Sequence, residues 1–192
     1  MRLLPLVATI ITVSTLPAPA AEANEVVGIY CLIPIMEEVA RKPELVMFTD
    51  EQNSIIKKPQ DTMATDKNWE SLEESNKILQ DILQNEISLR LKSIVAKNSY
   101  FDEIFLTDHY GTIIAASNKT SDYFQADEDF FQHVITYGAG SVFISSSHAD
   151  TSAKSIGQKI SIPITDGGTT IGVLATITNT WYNEYFKACD DK

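Results

Sequence analysis

Asp102-Glu103-Ile104-Phe105-Leu106-Thr107, Asp108-His109-Tyr110-Gly111 and Thr112-Ile113-Ile114-Ala115-Ala116-Ser117 follow one another without a gap, and this stretch decides the fold. After Ser99 the helical spacing of the preceding residues gives way to a period of two, which is the strand period. The four residues in the middle supply a turn, with Gly111 where the backbone needs a positive φ. The stretch therefore predicts a hairpin with strands over residues 102–107 and 112–117.

Toward the C-terminus, residues 118–126 read as a polar loop carrying two aromatics. Residues 127–137 read as a short helix. Asp127, Glu128 and Asp129 sit at its positive end, Phe130, Phe131, Val134 and Ile135 supply a buried face, and Gly138 and Gly140 end it. Three more strands are predicted over residues 141–147, 158–165 and 169–179, the last two joined by Asp166-Gly167-Gly168. Pro163 falls near the end of its run, which suits an edge strand or a bulge.

Toward the N-terminus, Leu79, Ile82, Leu83, Ile87, Leu91, Ile94 and Val95 form one apolar stripe. That stripe predicts a single helix over residues 69–96, helped by the pairs Glu73–Lys77 and Glu86–Arg90. Residues 49–67 are polar, contain Pro59 and read as a loop with a short turn near residues 53–56. Residues 25–48 read as a helix on Val26, Ile29, Tyr30, Ile33, Met36 and Val39. Pro34 predicts a kink or a late start there, and Pro43 a break. The class is therefore α+β, a five-stranded antiparallel sheet with a long N-terminal helix packed on one face.

Residues 1–23 have the layout of a secretory signal peptide. Arg2 precedes an uncharged apolar run over residues 3–16, and small residues at cleavage spacing end at Ala20 or Ala23. The expected division is a signal peptide at 1–23, an N-terminal helical region at 24–98, the sheet at 99–182 and a tail at 183–192. No later window is apolar over eighteen residues, so the exported chain is expected to be soluble and periplasmic or secreted.

The chain has 192 residues, 44% hydrophobic and 21% charged, enough apolar material for a core and too much for a disordered tail. Its net charge is −11, which argues against nucleic acid as a partner. Removing residues 1–23 takes away one Arg and one Glu and leaves that value unchanged. His109, His133 and His148 lack paired ligand spacing, no phosphate-binding Gly loop is present, and no cofactor or metal is expected. Ser145-Ser146-Ser147-His148-Ala149-Asp150 holds the residue types of a Ser/His/Asp relay. Neighbours on a strand point to opposite faces, and no Gly-x-Ser-x-Gly elbow exists, so no enzyme is expected.

This order of elements resembles the Cache family of extracellular sensor domains, also called PAS-like or PDC sensors. The resemblance is carried by Glu103-Ile104-Phe105-Leu106-Thr107-Asp108 with Gly111, by Thr120-Ser121-Asp122-Tyr123-Phe124-Gln125-Ala126-Asp127-Glu128, by Ile160-Ser161-Ile162-Pro163-Ile164-Thr165-Asp166 and by Ile171-Gly172-Val173-Leu174. It implies a sheet order of 2-1-5-4-3. It also implies a small-molecule pocket on the face away from the long helix, covered by the segment between strands two and three. The implied function is that of a single-Cache sensor, signalling through a membrane receptor kinase or cyclase. The alternative is a ligand-free structural or protein-interaction module on the same fold.

Within that segment, Tyr123, Gln125, Asp127, Glu128 and Phe131 are the expected ligand-binding residues, with Ser145 and Ser147 offering hydroxyls from the neighbouring strand. Rings supply apolar walls and an amide supplies a donor and an acceptor. The bland reading is that the rings pin the loop and the acids are an ordinary first helical turn. Amino-acid-binding members of the family usually carry an Arg just before the aromatic pair and an Asp late in the last strand. Here Glu128 precedes Phe130-Phe131 and Ile177 stands near the late position, so a neutral or cationic ligand is expected. Residues 26–39 are more apolar than one sheet face needs, so a homodimer through the N-terminal helix is also expected. In the resembled fold the first helix and last strand end at one pole, so Cys31 and Cys189 are expected to form a disulfide. Free thiols and an intermolecular bond are the alternatives.

Overall fold

Prolines open three of the helices of the N-terminal region. The computed structural model describes residues 29–55, 57–146, 148–150 and 155–178. Pro34 lies in the first turn of α1 (Ile33–Ala40), which a turn at residues 31–32 separates from the helical residues 29–30, so the helix is broken there. Pro43 and Pro59 occupy the first turns of α2 (Pro43–Ser54) and α3 (Pro59–Asn68). Lys42 and Lys58 before them are extended, the conformation that a following proline demands. Residues 49–67 are thus mostly helical rather than a loop. Pro59 fixes the φ of a first helical residue whose N–H has no partner to lose.

The helix expected over residues 69–96 is also divided. A 3-10 turn (Trp69–Ser71) comes first, then α4 (Lys77–Gln84) and α5 (Glu86–Lys97). Asn85 breaks it. Its Oδ1 accepts from Ser88 N at 2.9 Å to cap α5, and its Nδ2 donates to Asp81, Ile82 and Ile114 carbonyls at 2.9–3.0 Å. The apolar stripe divides with it. Leu79 and Ile82 join one core, Ile87 and Leu91 the other. The expected i,i+4 pairs give way to Lys77–Asp81 and to Arg90 reaching Glu44 on α2.

The sheet contains β1 (Phe101–Asp108), β2 (Ile113–Ala116), β3 (Phe143–Ile144), β6 (Lys159–Asp166) and β7 (Thr169–Thr178), in the order β2-β1-β7-β6-β3. Every pairing is antiparallel. Counting these five strands alone, the order is 2-1-5-4-3, as the resemblance implied. The strand expected over residues 141–147 is cut to two paired residues, Phe143 and Ile144. β4 (His148–Asp150) leaves to pair with β5 (Ser155–Gly157) as a separate hairpin. Because β3 reaches only Ser161 and Ile160, β6 is an edge strand at Pro163, where proline is tolerated.

Alternation along the strands builds two cores. Ile104, Leu106, Leu174, Ile160, Ile162 and Ile164 pack with Ile29, Leu32, Met36, Leu45, Ile87 and Leu91 of the helical region. Phe105, Val173 and Ala175 face the other way. They pack with Trp69, Tyr123 and with Phe130, Phe131 and Val134 of α6 (Asp129–Tyr137). Ile29, Leu32, Met36 and Val39 are all buried within one chain, so the apolar surplus that suggested a dimer is largely absorbed by the sheet.

Candidate functional site

The α6-facing side of the sheet carries the polar chemistry. Register places Glu103, Ile177 and Lys159 side by side across β1, β7 and β6, and Phe105, Ala175 and Ser161 in the next row of that face. Glu103 and Ser161 are buried. The Ser161 hydroxyl has no hydrogen-bond partner within the described structure, an uncommon state for a buried polar atom. Two residues along the same strand, the Lys159 ammonium lies 4.3 Å from the Phe130 ring centroid and 5.8 Å from that of Phe105. The two rings meet edge to face at 5.8 Å. An ammonium on two ring faces is a cation–π arrangement, strengthened where water is scarce.

Glu128 completes the cluster. It is the N-cap residue of α6, in extended conformation, with no side-chain cap bond. Burial pushes its carboxyl above the ordinary glutamate range. Lys159 opposes that rise, and Asp122, Asp127 and Asp129 add to it.

The segment over residues 118–128 is a strap fastened at both sides. Phe124 bridges to Thr112, Ile113 N donates to Tyr123 O, and Gln125 N donates to Gly111 O at 2.8 Å. From the helical region, Asp66 Oδ1 accepts from Tyr123 N and Phe124 N at 3.0 and 2.8 Å. Trp69 Nε1 donates to Thr120 O at 2.8 Å, and Lys119 Nζ donates to the carbonyls of Glu70 and Leu72.

The expected ligand residues are therefore dispersed. Tyr123 is buried with its ring 5.4 Å from Trp69. Burial raises its phenol above the ordinary range, against a hydrogen bond with Thr112, and Asp108 adds to the rise. Gln125 is buried and its amide donates to the carbonyl and carboxylate of Asp122. Asp127 is exposed and Phe131 is in the core. The Ser145 hydroxyl accepts from Lys159 N at 2.8 Å, which extends the sheet by one residue. Ser147 lies outside the described residues. Of the set, Glu128 stands beside Lys159 and Phe131 packs in the same core. Lys159 and Ser161 escaped the sequence reading, although the alternation of Lys159, Ser161 and Pro163 with Ile160, Ile162 and Ile164 puts both on one face. Cys31 is disulfide-bonded; its expected partner Cys189 lies outside the described residues.

No protein-family model matches the chain, and no curated sequence is significantly similar to it. Solved sensor domains do match over most of its length. The sensor domain of the V. cholerae histidine kinase DctB aligns at 14% identity over 88% of this chain and 57% of that one, with a TM-score of 0.40. The ligand-binding domain of the Campylobacter jejuni chemoreceptor Tlp3, solved with 4-methylisoleucine, aligns at 18% identity over 84% of this chain and 60% of that one, with a TM-score of 0.41. An extracellular ligand binding receptor from Desulfohalobium retbaense aligns at 14% identity over 74% of this chain and 25% of that one, with a TM-score of 0.40. The chain thus spans less than two thirds of the length of each. Among the described residues, no helix is long and apolar enough to cross a membrane.

Proposed function

We propose that the chain is a non-catalytic, exported Cache-type sensor, periplasmic or extracellular, that binds a small molecule between the strap and the sheet. The observation that carries this reading is the buried, unpartnered Ser161 hydroxyl beside the Lys159 ammonium on the α6-facing side. A ligand oxygen accepting from Ser161 would satisfy that buried hydroxyl. Glu128 and Phe131 approach that face from the α6 side, Tyr123, Gln125, Asp127 and Ser145 are the further members proposed, and Ser147 lies outside the described residues. Glu128 before the aromatic pair and Ile177 near the late position favoured a neutral or cationic ligand. Lys159 offsets Glu128, but Glu103 lies in the same row and Asp122, Asp127 and Asp129 surround Glu128, so a neutral or cationic molecule still suits the cluster best. Signalling to a membrane kinase or cyclase would use the strap. Its bonds to residues 66–72 tie any ligand-driven movement to the N-terminal helical region, a population shift between two positions of that region. A homodimer through the first helix would rest on exposed Tyr30 and half-buried Ile33 and Ile35.

One observation favours the ligand-free module. Lys159 itself lies over the two rings, and Gln125 is already engaged by Asp122, so the space is partly filled from within. A thermal-shift screen of amino acids, amines, polyols and nucleosides on the exported chain separates the two. A true ligand at 100 times its Kd adds about 2.7 kcal/mol of stability, and Ser161→Ala and Lys159→Met should abolish that gain. A screen without any rise, with Ser161→Ala as stable as the parent, would leave the module reading in place.

A further inference from the structure

A second polar centre lies apart from the α6-facing cluster, where the chain between α2 and α3 meets the β1–β2 turn. A cavity of about 380 Å³ opens there between Pro59, Met63, Tyr110 and Phe124, with Lys57 and Thr112 at its polar end. Beyond Lys57 a further space of about 370 Å³ runs toward Ile55 and Ile78. Lys57 belongs to both. Its side chain is 21% exposed, and its ammonium donates to Asp108 Oδ2 at 2.5 Å and to Thr112 Oγ1 at 2.8 Å. Asp108 is 1% exposed and its carboxylate is saturated. It also accepts from the Thr112 hydroxyl and from the backbone N–H groups of Tyr110 and Thr112 at 2.9 and 2.8 Å. The carboxylate therefore fixes the ammonium in place. An ammonium has three hydrogens, and the third has no acceptor among the described residues.

The surroundings define what would meet that hydrogen. Lys57 and Asp108 cancel, so the centre is neutral inside a chain of net charge −11. A free anion is opposed by the overall charge, and a cation meets the ammonium first. Four of the eight large apolar side chains that are exposed among the described residues, Ile55, Met63, Ile78 and Tyr110, rim these two spaces. Apolar walls with one oriented donor are the makings of a small-molecule site.

We infer that Lys57 marks a second binding site, for an uncharged molecule with an aromatic or aliphatic body and one hydrogen-bond acceptor such as a carbonyl or ether oxygen. The site shares none of the Lys159, Ser161 or Glu128 groups, although Tyr123 and Phe124 of the strap line its two spaces, so its test is read at groups distinct from those of the sensor reading. Acetophenone and ethylbenzene are the probes, alike in shape and different in the carbonyl. Each is titrated into the isotope-labelled exported chain while backbone amide shifts are followed. Acetophenone should move Met63, Thr112 and Phe124 saturably, and ethylbenzene should bind about tenfold more weakly, as expected for one hydrogen bond to a charged donor. Lys57→Met strands the Asp108 carboxylate, so Lys57→Met/Asp108→Asn, which removes both charges, serves as the second variant. It should bind the two probes equally. Equal binding by the parent, or no saturable shift at these residues, overturns the inference. Shifts at Lys159 and Ser161 instead overturn it too, while supporting the sensor reading.

Discussion

Replacing Gly111 by Ala tests whether the strap is clamped by the hairpin turn. Gly111 has φ +86°, and an L side chain in the left-handed region costs about 1–2 kcal/mol. A Cβ there would also lie 2.7 Å from the backbone N and Cβ of Ala126 and 2.8 Å from its Cα. Those atoms cannot swing aside as a long side chain would, because Gln125 N is bonded to Gly111 O at 2.8 Å. Forced overpacking of this kind costs about 1–3 kcal/mol. The total, about 2–5 kcal/mol, is a large share of the 5–15 kcal/mol that holds a typical domain. Gly168 is the internal standard. Its φ is also +86°, but an added Cβ meets nothing within 4 Å. Gly168→Ala should therefore cost only the backbone term. Urea denaturation of both variants gives the difference directly, at an unchanged m-value. Ala126→Gly in the Gly111→Ala background should recover part of the loss, since the backbone contacts remain. Equal costs at Gly111 and Gly168 would refute the claim that the strap presses on the turn.

Glu128→Gln should change the pH dependence of stability. The folded carboxyl is held above its unfolded value, so the native state keeps its proton longer and stability falls as pH rises through that window. The melting midpoint of Glu128→Gln should exceed the parent's at pH 7.5 and match it at pH 3.5; a lower midpoint at both would contradict the sign. Asn85→Ala should cost about 1–2 kcal/mol, the upper part of the N-cap range, because it also strips Ile114 O of a donor. Asn76→Ala, whose side chain accepts only from Ile78 N, should cost less, and equal midpoints in urea would count against the shared role of Asn85. Peptide mapping without reductant should find Cys31 joined to Cys189. Reduction should lower stability by about 4–5 kcal/mol, since the loop closed is most of the exported chain; recovery of any other Cys31 linkage would exclude the pairing.

What was legible in the sequence was what local chemistry determines. The β1–β2 hairpin follows from period two and a turn glycine, and α6 from three acids ahead of Phe130-Phe131. The sheet order came from resemblance, since periodicity names faces and not neighbours. Asn85 was illegible for a physical reason: an asparagine within a helical stripe looks neutral until its amide finds the Ile114 carbonyl across the fold. Pro43 and Pro59 were ambiguous because proline both ends and begins helices. Lys159 needed the β6–β7 register to be set beside Phe105 and Glu128, and the shortened β3 depends on where Ser145 finds its partners.

The strap gives the molecule its mechanical logic. The backbone N–H groups of Tyr123 and Phe124 are held by Asp66, which sits on α3, while the next N–H, that of Gln125, is held by the turn after β1. One short segment therefore spans two bodies, the helical region and the sheet. Trp69 adds a tilted ring contact and an indole bond on the helical side, and Thr112 adds a bridge on the sheet side. Several neutral and charge-assisted hydrogen bonds, each worth about 0.5–3 kcal/mol, keep the strap in one position without a ligand. A ligand beneath it needs differential affinity of a few kcal/mol to favour another. The pieces nearest the strap on the helical side, residues 66–72, are the ones that such a shift would move first. On the proposed sensor reading, the Lys159–Glu128 cluster at the foot of α6 is where a ligand would act on it.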